Sequence, residues 1–100
     1  MKTIIQKITP AIIASRKIKI QLADGKKVVV HPHIVVKQKQ KQGDEILKSM
    51  LDSGDCMDIP LQSITTISIL PESFAIDTTC MNYDYTQYDL VFPRKADLFE

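Results

Sequence analysis

Short runs of β-branched residues, separated every few positions by Pro, Gly or polar residues, run through most of this sequence. It contains fourteen Ile and six Val, against three Phe, three Tyr and no Trp. Because β-branched side chains fit a pleated sheet better than a helix, we expect an aliphatic core built mainly from sheet. A chain of 100 residues supplies one core, so a single small domain over residues 1–100 is expected, with 93–100 as a tail.

A β-hairpin is predicted in the first half of the chain. Apolar residues alternate up to Leu22, Asp24-Gly25 is a turn signal, and a second extended run begins at Val28. We expect a three-residue loop with Leu22 opposite Val28, because an odd loop keeps one face of both strands apolar. The other face then carries Lys17, Lys19, Val29, His31, His33 and Val35.

One helix is predicted after these strands, over residues 44–52. Asp44 is a typical N-cap, and four apolar residues follow at helical spacing, namely Ile46, Leu47, Met50 and Leu51. Further strands are expected at 4–8, at 59–70 with a bend near Ser63, at 74–80 and at 83–92.

The expected fold is therefore a β-rich α+β domain. It is a small antiparallel barrel or curved sheet of five to six strands, with one helix between strands 3 and 4. This element order is similar to that of the five-stranded oligonucleotide-binding barrel, which also places a helix between its third and fourth strands.

Charge is distributed unevenly along the chain, although its formal net charge is only +1. Residues 1–42 hold ten Lys or Arg and one acid, for a charge of +9, while residues 43–100 hold three Lys or Arg and eleven acids, for −8. The basic side chains expected to bind a polyanion or a partner are Arg16, Lys17, Lys19, Lys37, Lys39 and Lys41. Pairing of the two halves within one chain would instead neutralise these cations.

Two functions from different classes follow from this charge pattern. The first is a non-catalytic binding module that engages a protein partner or a second copy of itself through oppositely charged surfaces. The alternative is a small-barrel nucleic-acid-binding protein that uses the basic face of the hairpin. Tyr83 and Tyr85 could stack on unpaired bases or lie at a protein interface.

Signals for chemistry are weak. His31 and His33 are weak metal-ligand candidates, because two histidines are too few for a zinc site. No catalytic or nucleotide-binding motif is present, so we predict no metal, no cofactor and no catalytic activity. The sequence shows no apolar run of membrane-spanning length. Without a sign of secretion, we expect a cytoplasmic protein in which Cys56 and Cys80 are free thiols rather than a disulfide.

Overall fold

The computed structural model of the chain describes residues 4–39, 44–84 and 86–92. It has one helix and six strands: α1 (Ile4–Ile13), β1 (Arg16–Leu22), β2 (Lys27–Gln38), β3 (Glu45–Leu51), β4 (Cys56–Pro60), β5 (Ile64–Ser73) and β6 (Tyr88–Phe92). The strands pair antiparallel in the order β4-β3-β2-β1-β5, and β6 pairs with β2.

The expected antiparallel sheet of five to six strands with one helix is thus confirmed. Among the described strands the sheet is open, because β4 and β5 lie at its two ends and do not pair with each other. A closed barrel is therefore not confirmed.

The expected position of the helix, between strands 3 and 4, is wrong. Residues 45–51 form strand β3 instead. Both faces of this strand are covered, since Leu47, Ser49 and Met50 are all buried. Apolar residues therefore appear on both sides of β3, and their spacing resembles that of a helix. Ser49 is tolerated inside because its hydroxyl donates to the carbonyl oxygen of Met57 over 2.8 Å.

The helix lies before β1, where the sequence suggested a strand at 4–8 ended by Pro10. Ile8, Ala11 and Ile12 are buried at spacings of three and four residues, which define one helical face. This face packs on β1, β2 and β5. Pro10 is accommodated inside the helix, although it can donate no backbone hydrogen bond. The similarity in element order to the oligonucleotide-binding barrel is consequently lost.

The hairpin of β1 and β2 has the predicted three-residue loop. The Leu22 N–H donates to the Lys26 carbonyl over 2.8 Å, which encloses residues 23–25, and Gly25 has a φ of +89°. The expected register is wrong by two positions, because Leu22 opposite Val28 would leave five residues in the loop; Ile20 lies opposite Val28 instead. A shift of two residues leaves the side chains of the paired residues 18–21 and 27–30 on their predicted faces.

The hydrophobic core lies between α1 and the inner face of the sheet. Its centre is fully buried and is formed by Ile8, Ile18, Ile20, Val30, Leu47 and Ile59. Val35 also belongs to this core, with 1% of its surface exposed, so its expected position on the outer face is wrong.

The second half of the chain is less regular than predicted. The expected bend near Ser63 is present as a single 3₁₀ turn, Leu61–Ser63, which separates β4 from β5. Residues 78–81 form a second 3₁₀ turn rather than the end of a strand. The last strand is shorter than the predicted 83–92, and the expected tail at 93–100 lies outside the described residues.

A disulfide joins Cys56 in β4 to Cys80 in the second 3₁₀ turn, with Cα atoms 5.4 Å apart. The prediction of two free thiols is therefore wrong. The two cysteines are 24 positions apart in the chain, and only the fold brings them within bonding reach. In the part of the chain that the structure describes, no helix is long and apolar enough to cross a membrane.

Candidate binding surfaces

A polar network surrounds His31, which lies on β2 opposite the start of β1. Its Nε2 atom is 2.8 Å from Oδ1 of Asp52, and the Lys17 Nζ atom is 3.0 Å from the same oxygen. The hydrogen bond from His31 lowers the pKa of Asp52, and the one from Lys17 lowers it further. The His31 ring also stacks on Phe74, with centroids 5.0 Å apart. This network neutralises one of the predicted binding cations, Lys17.

His33 is buried and uses both ring nitrogens inside the protein. Nε2 accepts a hydrogen bond from the backbone N–H of Asp77 over 3.1 Å, and Nδ1 lies 2.7 Å from the carbonyl oxygen of His31. Burial lowers the pKa of His33 and is the largest influence on it. The ring is therefore held neutral, with its proton on Nδ1.

These contacts bear on the two metal-ligand candidates. The geometry leaves His33 with no nitrogen lone pair for a metal ion, and His31 is engaged by Asp52. Across residues 4–39, 44–84 and 86–92, no three His, Cys, Asp or Glu side chains are grouped closely enough to hold a metal ion. His31 and His33 are better explained as residues that pack and hydrogen-bond around Phe74.

The five predicted basic residues that the structure describes do not form one surface. Lys37 and Lys39 lie at or just beyond the far end of β2 from the hairpin loop. With a rise of about 3.3 Å per residue, Lys37 is roughly 26 Å from Val29, the cross-strand partner of Lys19. Acidic residues also accompany this end: the Lys39 Nζ atom is 3.6 Å from Asp89.

The remaining basic candidates have different surroundings. Lys37 lies in register with Glu45 on β3 and with Asp89 on β6. Arg16 is exposed at the first position of β1, and Lys41 lies outside the described residues. Among the described residues, then, the acidic half pairs with part of the basic half and leaves part of it without an ion pair.

The open part is a basic patch on the outer face of β2, β1 and β5. A shallow concavity of about 160 Å³ is lined here by Lys19, Ile20, Gln21, Lys27, Thr66 and Ser68. Lys19 lies opposite Ser68, and Gln21 lies between Lys27 and Thr66. Neither Lys19 nor Lys27 forms an ion pair with a described carboxylate. Lys27 was not among the predicted residues, because only the strand register places it beside Lys19.

The two tyrosines expected to contact bases or a partner lie outside any described strand. Tyr83 is half-buried in the segment that follows the second 3₁₀ turn. Tyr85 lies outside the described residues. The structure therefore brings no pair of exposed tyrosines to the basic patch.

Strands β4, β5 and β6 each have an edge that no described strand pairs with, and these edges differ in their protection against pairing with another strand. Strand β6 has only five residues, including Asp89. Edge strand β4 has five residues, contains Asp58 and Pro60, and is tied by the disulfide at Cys56. Short length, charge and proline are the usual means of protecting a sheet edge. Edge strand β5 has ten residues, and its first seven, Ile64–Leu70, contain neither a charged side chain nor a proline; Pro71 and Glu72 follow near its end. No described strand pairs with its outer edge.

A groove runs beside this open edge on the inner side of the sheet. It is lined by Gln6, Lys7 and Pro10 of α1 and by Ile67 and Ile69 of β5, and has a volume of about 290 Å³. Ile69 is 44% exposed although it lies opposite the fully buried Ile18. An extended segment pairing with β5 would place alternate side chains over this groove. Sequence patterns do not reveal this surface, because the strand order decides which strand lies at an edge of the sheet.

Comparison with protein-family models, with curated proteins and with solved structures gave no match to this chain. The interpretation of these surfaces therefore depends on their geometry and chemistry.

Proposed function

We propose that this chain is a non-catalytic binding module that engages a protein partner or a second copy of itself. The observation that carries the proposal is the edge of β5, whose first seven residues, Ile64–Leu70, contain neither a charged side chain nor a proline. Main-chain N–H and C=O groups along such an edge bind an added strand, and the adjacent groove supplies contacts for its side chains.

Oppositely charged surfaces contribute less to this proposal than the sequence suggested. Three ion pairs use charges within the chain. Lys17–Asp52 and Lys39–Asp89 join the basic and acidic segments, and Lys48–Asp58 lies inside the acidic half. Charges used in this way are not available to a partner. We therefore place the main contact at the β5 edge and give charge a secondary role.

A labelled peptide of alternating Thr and Ile, as long as β5, tests this proposal. We expect it to bind the full chain saturably in fluorescence anisotropy and to bind the Ile69→Lys variant at least about tenfold more weakly. Ile76→Lys is the matched control, because Ile76 is an exposed isoleucine beyond the end of β5. Absence of binding, or equal loss in both variants, would contradict the proposal.

The basic patch favours a second candidate function, binding of nucleic acid or another polyanion. Lys19 and Lys27 are unpaired among the described residues and have the hydroxyls of Thr66 and Ser68 beside them, which suits phosphate oxygens. Binding of this kind weakens steeply as salt increases.

Titration of single-stranded and duplex oligonucleotides at two salt concentrations tests the second candidate. Lys19→Glu should weaken binding, whereas Lys7→Glu, on the helix that covers the opposite face, should not. No binding at low salt, or equal affinity of both variants, would exclude it.

A cytoplasmic location remains a proposal that the structure weakens. Disulfides are rare in the reducing cytosol and persist in oxidising compartments, and Cys56 and Cys80 form one. Alkylation of unfractionated cells with a thiol reagent, followed by mass spectrometry, would show free cysteines if the cytoplasmic expectation is right.

A further inference from the structure

We infer that the occupant of the β5 edge is a second copy of this chain, paired antiparallel through β5 so that two sheets become one. This inference rests on the proposed function and specifies its partner. In such a dimer, a two-fold axis perpendicular to the sheet relates the two strands, and residues directly opposite each other lie on the same face.

The side-chain pattern of β5 selects one register of this pairing. With the axis at Ser68, each Ile67 lies opposite Ile69 of the second copy, and Ser68 lies opposite itself. Ile67 and Ile69 both belong to the inner face, opposite Ile20 and Ile18 of β1. Pairing in this register covers the exposed part of Ile69 with an isoleucine and extends the core across the axis.

The charges of the chain permit this pairing. Residues 64–71 contain no ionisable side chain, so no like charges meet at the new strand pair. The nearest cation on the outer face is Lys19, which lies opposite Ser68. Across the dimer, the two Lys19 residues are three strand spacings apart, about 14 Å. This distance exceeds the screening length of about 8 Å at physiological salt.

The same edge suits a copy of itself better than a charged partner segment. Its groove offers two isoleucines and a proline from this chain, with Lys7 as the only ionised side chain in the lining. The strand that fits is therefore uncharged, β-branched and apolar on alternate residues, and β5 has these properties. Because the interface is one strand wide, we expect a weak dimer whose population depends on concentration.

Charge substitution at Ser68 tests the inference on the full chain. In Ser68→Glu the new carboxylate lies opposite Lys19 of its own chain, which favours the folded monomer, but it meets a second Glu across the axis. Ser68→Lys places two ammonium groups there. By sedimentation velocity from about 10 to 500 µM, wild type should dimerise reversibly, and each variant should dimerise at least about fivefold more weakly.

Mixing the two variants is the decisive measurement. The pair of Ser68→Glu with Ser68→Lys should form a heterodimer more tightly than either variant forms a homodimer, because opposite charges then face each other. Thr78→Glu, an exposed hydroxyl residue in the second 3₁₀ turn, controls for net charge and should dimerise like wild type. Circular dichroism checks that every variant is folded.

The outcomes separate this inference from the proposed function. If the Ser68→Glu and Ser68→Lys variants dimerise as well as wild type, pairing through β5 is overturned. A chain that stays monomeric up to 500 µM yet binds the Thr-Ile peptide in an Ile69-dependent way overturns the second copy as occupant and leaves the binding module standing. A monomer that binds no peptide overturns both.

Discussion

The backbone N–H of Asp77 donates to Nε2 of His33, and this hydrogen bond joins residues 44 positions apart. It fixes the segment after β5 against the central strand β2. The carboxylate of Asp77 is used separately, to accept from the N–H and hydroxyl of Thr79 at the start of the second 3₁₀ turn. The Thr79 hydroxyl is the main cause of the lowered pKa of Asp77. One residue therefore anchors both this segment and the turn that carries Cys80.

The state of His33 makes stability depend on pH in a defined window. Burial lowers the pKa of folded His33 below the value of about 6.5 expected in the unfolded chain. The unfolded state thus binds more protons, so the stability contributed by neutral His33 is complete above pH 6.5 and decreases as pH falls towards the folded pKa. Urea unfolding at several pH values between 7.5 and 5 should show this decrease.

A variant without the titrating ring provides the control. In His33→Gln, a side-chain carbonyl can still accept from the Asp77 N–H, and the dependence between pH 7 and 5 should be largely lost. If this variant kept the full pH dependence of wild-type stability, a group other than His33 would be responsible for it. The lowered pKa values of Asp52, Asp77 and Asp84 act in a separate window, below about pH 4, where their contribution is lost as pH falls.

The disulfide should make a large contribution to stability. It closes a segment of 24 positions between β4 and the second 3₁₀ turn. The loss of loop entropy in the unfolded chain predicts that replacing both Cys56 and Cys80 by Ser lowers the free energy of unfolding by about 3 kcal/mol. Urea denaturation measures the difference. Dithiothreitol should destabilise wild type and leave the double variant unchanged, and a similar effect on both would exclude the disulfide as its cause.

The helix that the sequence did not predict should be essential for the core. Ile8 is fully buried between α1 and the sheet, whereas Ile13, in the same helix, is 69% exposed. Ile8→Ala should lower the free energy of unfolding by about 2–4 kcal/mol because it leaves a cavity. Ile13→Ala should change it by less than about 0.5 kcal/mol. Equal effects in thermal or urea unfolding would show that α1 does not pack as described.

Two glycine positions should tolerate alanine poorly. Gly25 and Gly54 have φ values of +89° and +96°, and no atom lies within 4 Å of the position that a Cβ would occupy. The cost is therefore conformational, about 1–2 kcal/mol for each Gly→Ala substitution. Asn, which adopts positive φ more readily, should cost less at both sites. A chemical denaturation series in which Asn and Ala behave alike would contradict this explanation.

Sequence patterns predicted the hairpin of β1 and β2 well and the helix badly. Both outcomes depend on whether a strand buries one face or both. Ile18 and Ile20 alternate with charged residues because β1 has one buried face and one exposed face. Strand β3 lacks this alternation, since Ser49 is buried with an internal hydrogen bond that nothing in the sequence reveals. Ile8, Ala11 and Ile12 did have helical spacing, but their β-branched composition and Pro10 pointed to a strand.

The candidate surfaces were predictable only in part. Lys19 on an open outer face followed from alternation alone. Its association with Lys27, Thr66 and Ser68 required the pairing of β1 with β5, a contact between segments more than forty positions apart. The open edge of β5 depends on strand order, which local patterns do not contain. The cysteine pairing also depends on the tertiary fold.

The contrast between β5 and the shorter edge strands β4 and β6 limits how far assembly can proceed. A chain with two unprotected edges could add copies at both ends and grow into a fibre. Here β4 is protected against further strands by its shortness, Asp58, Pro60 and the disulfide. The free edge of β6 is also short and carries Asp89, so a dimer joined through β5 uses the longest of the three edges that the described strands leave unpaired. The expected assembly is a dimer whose remaining edge strands, β4 and β6, are short.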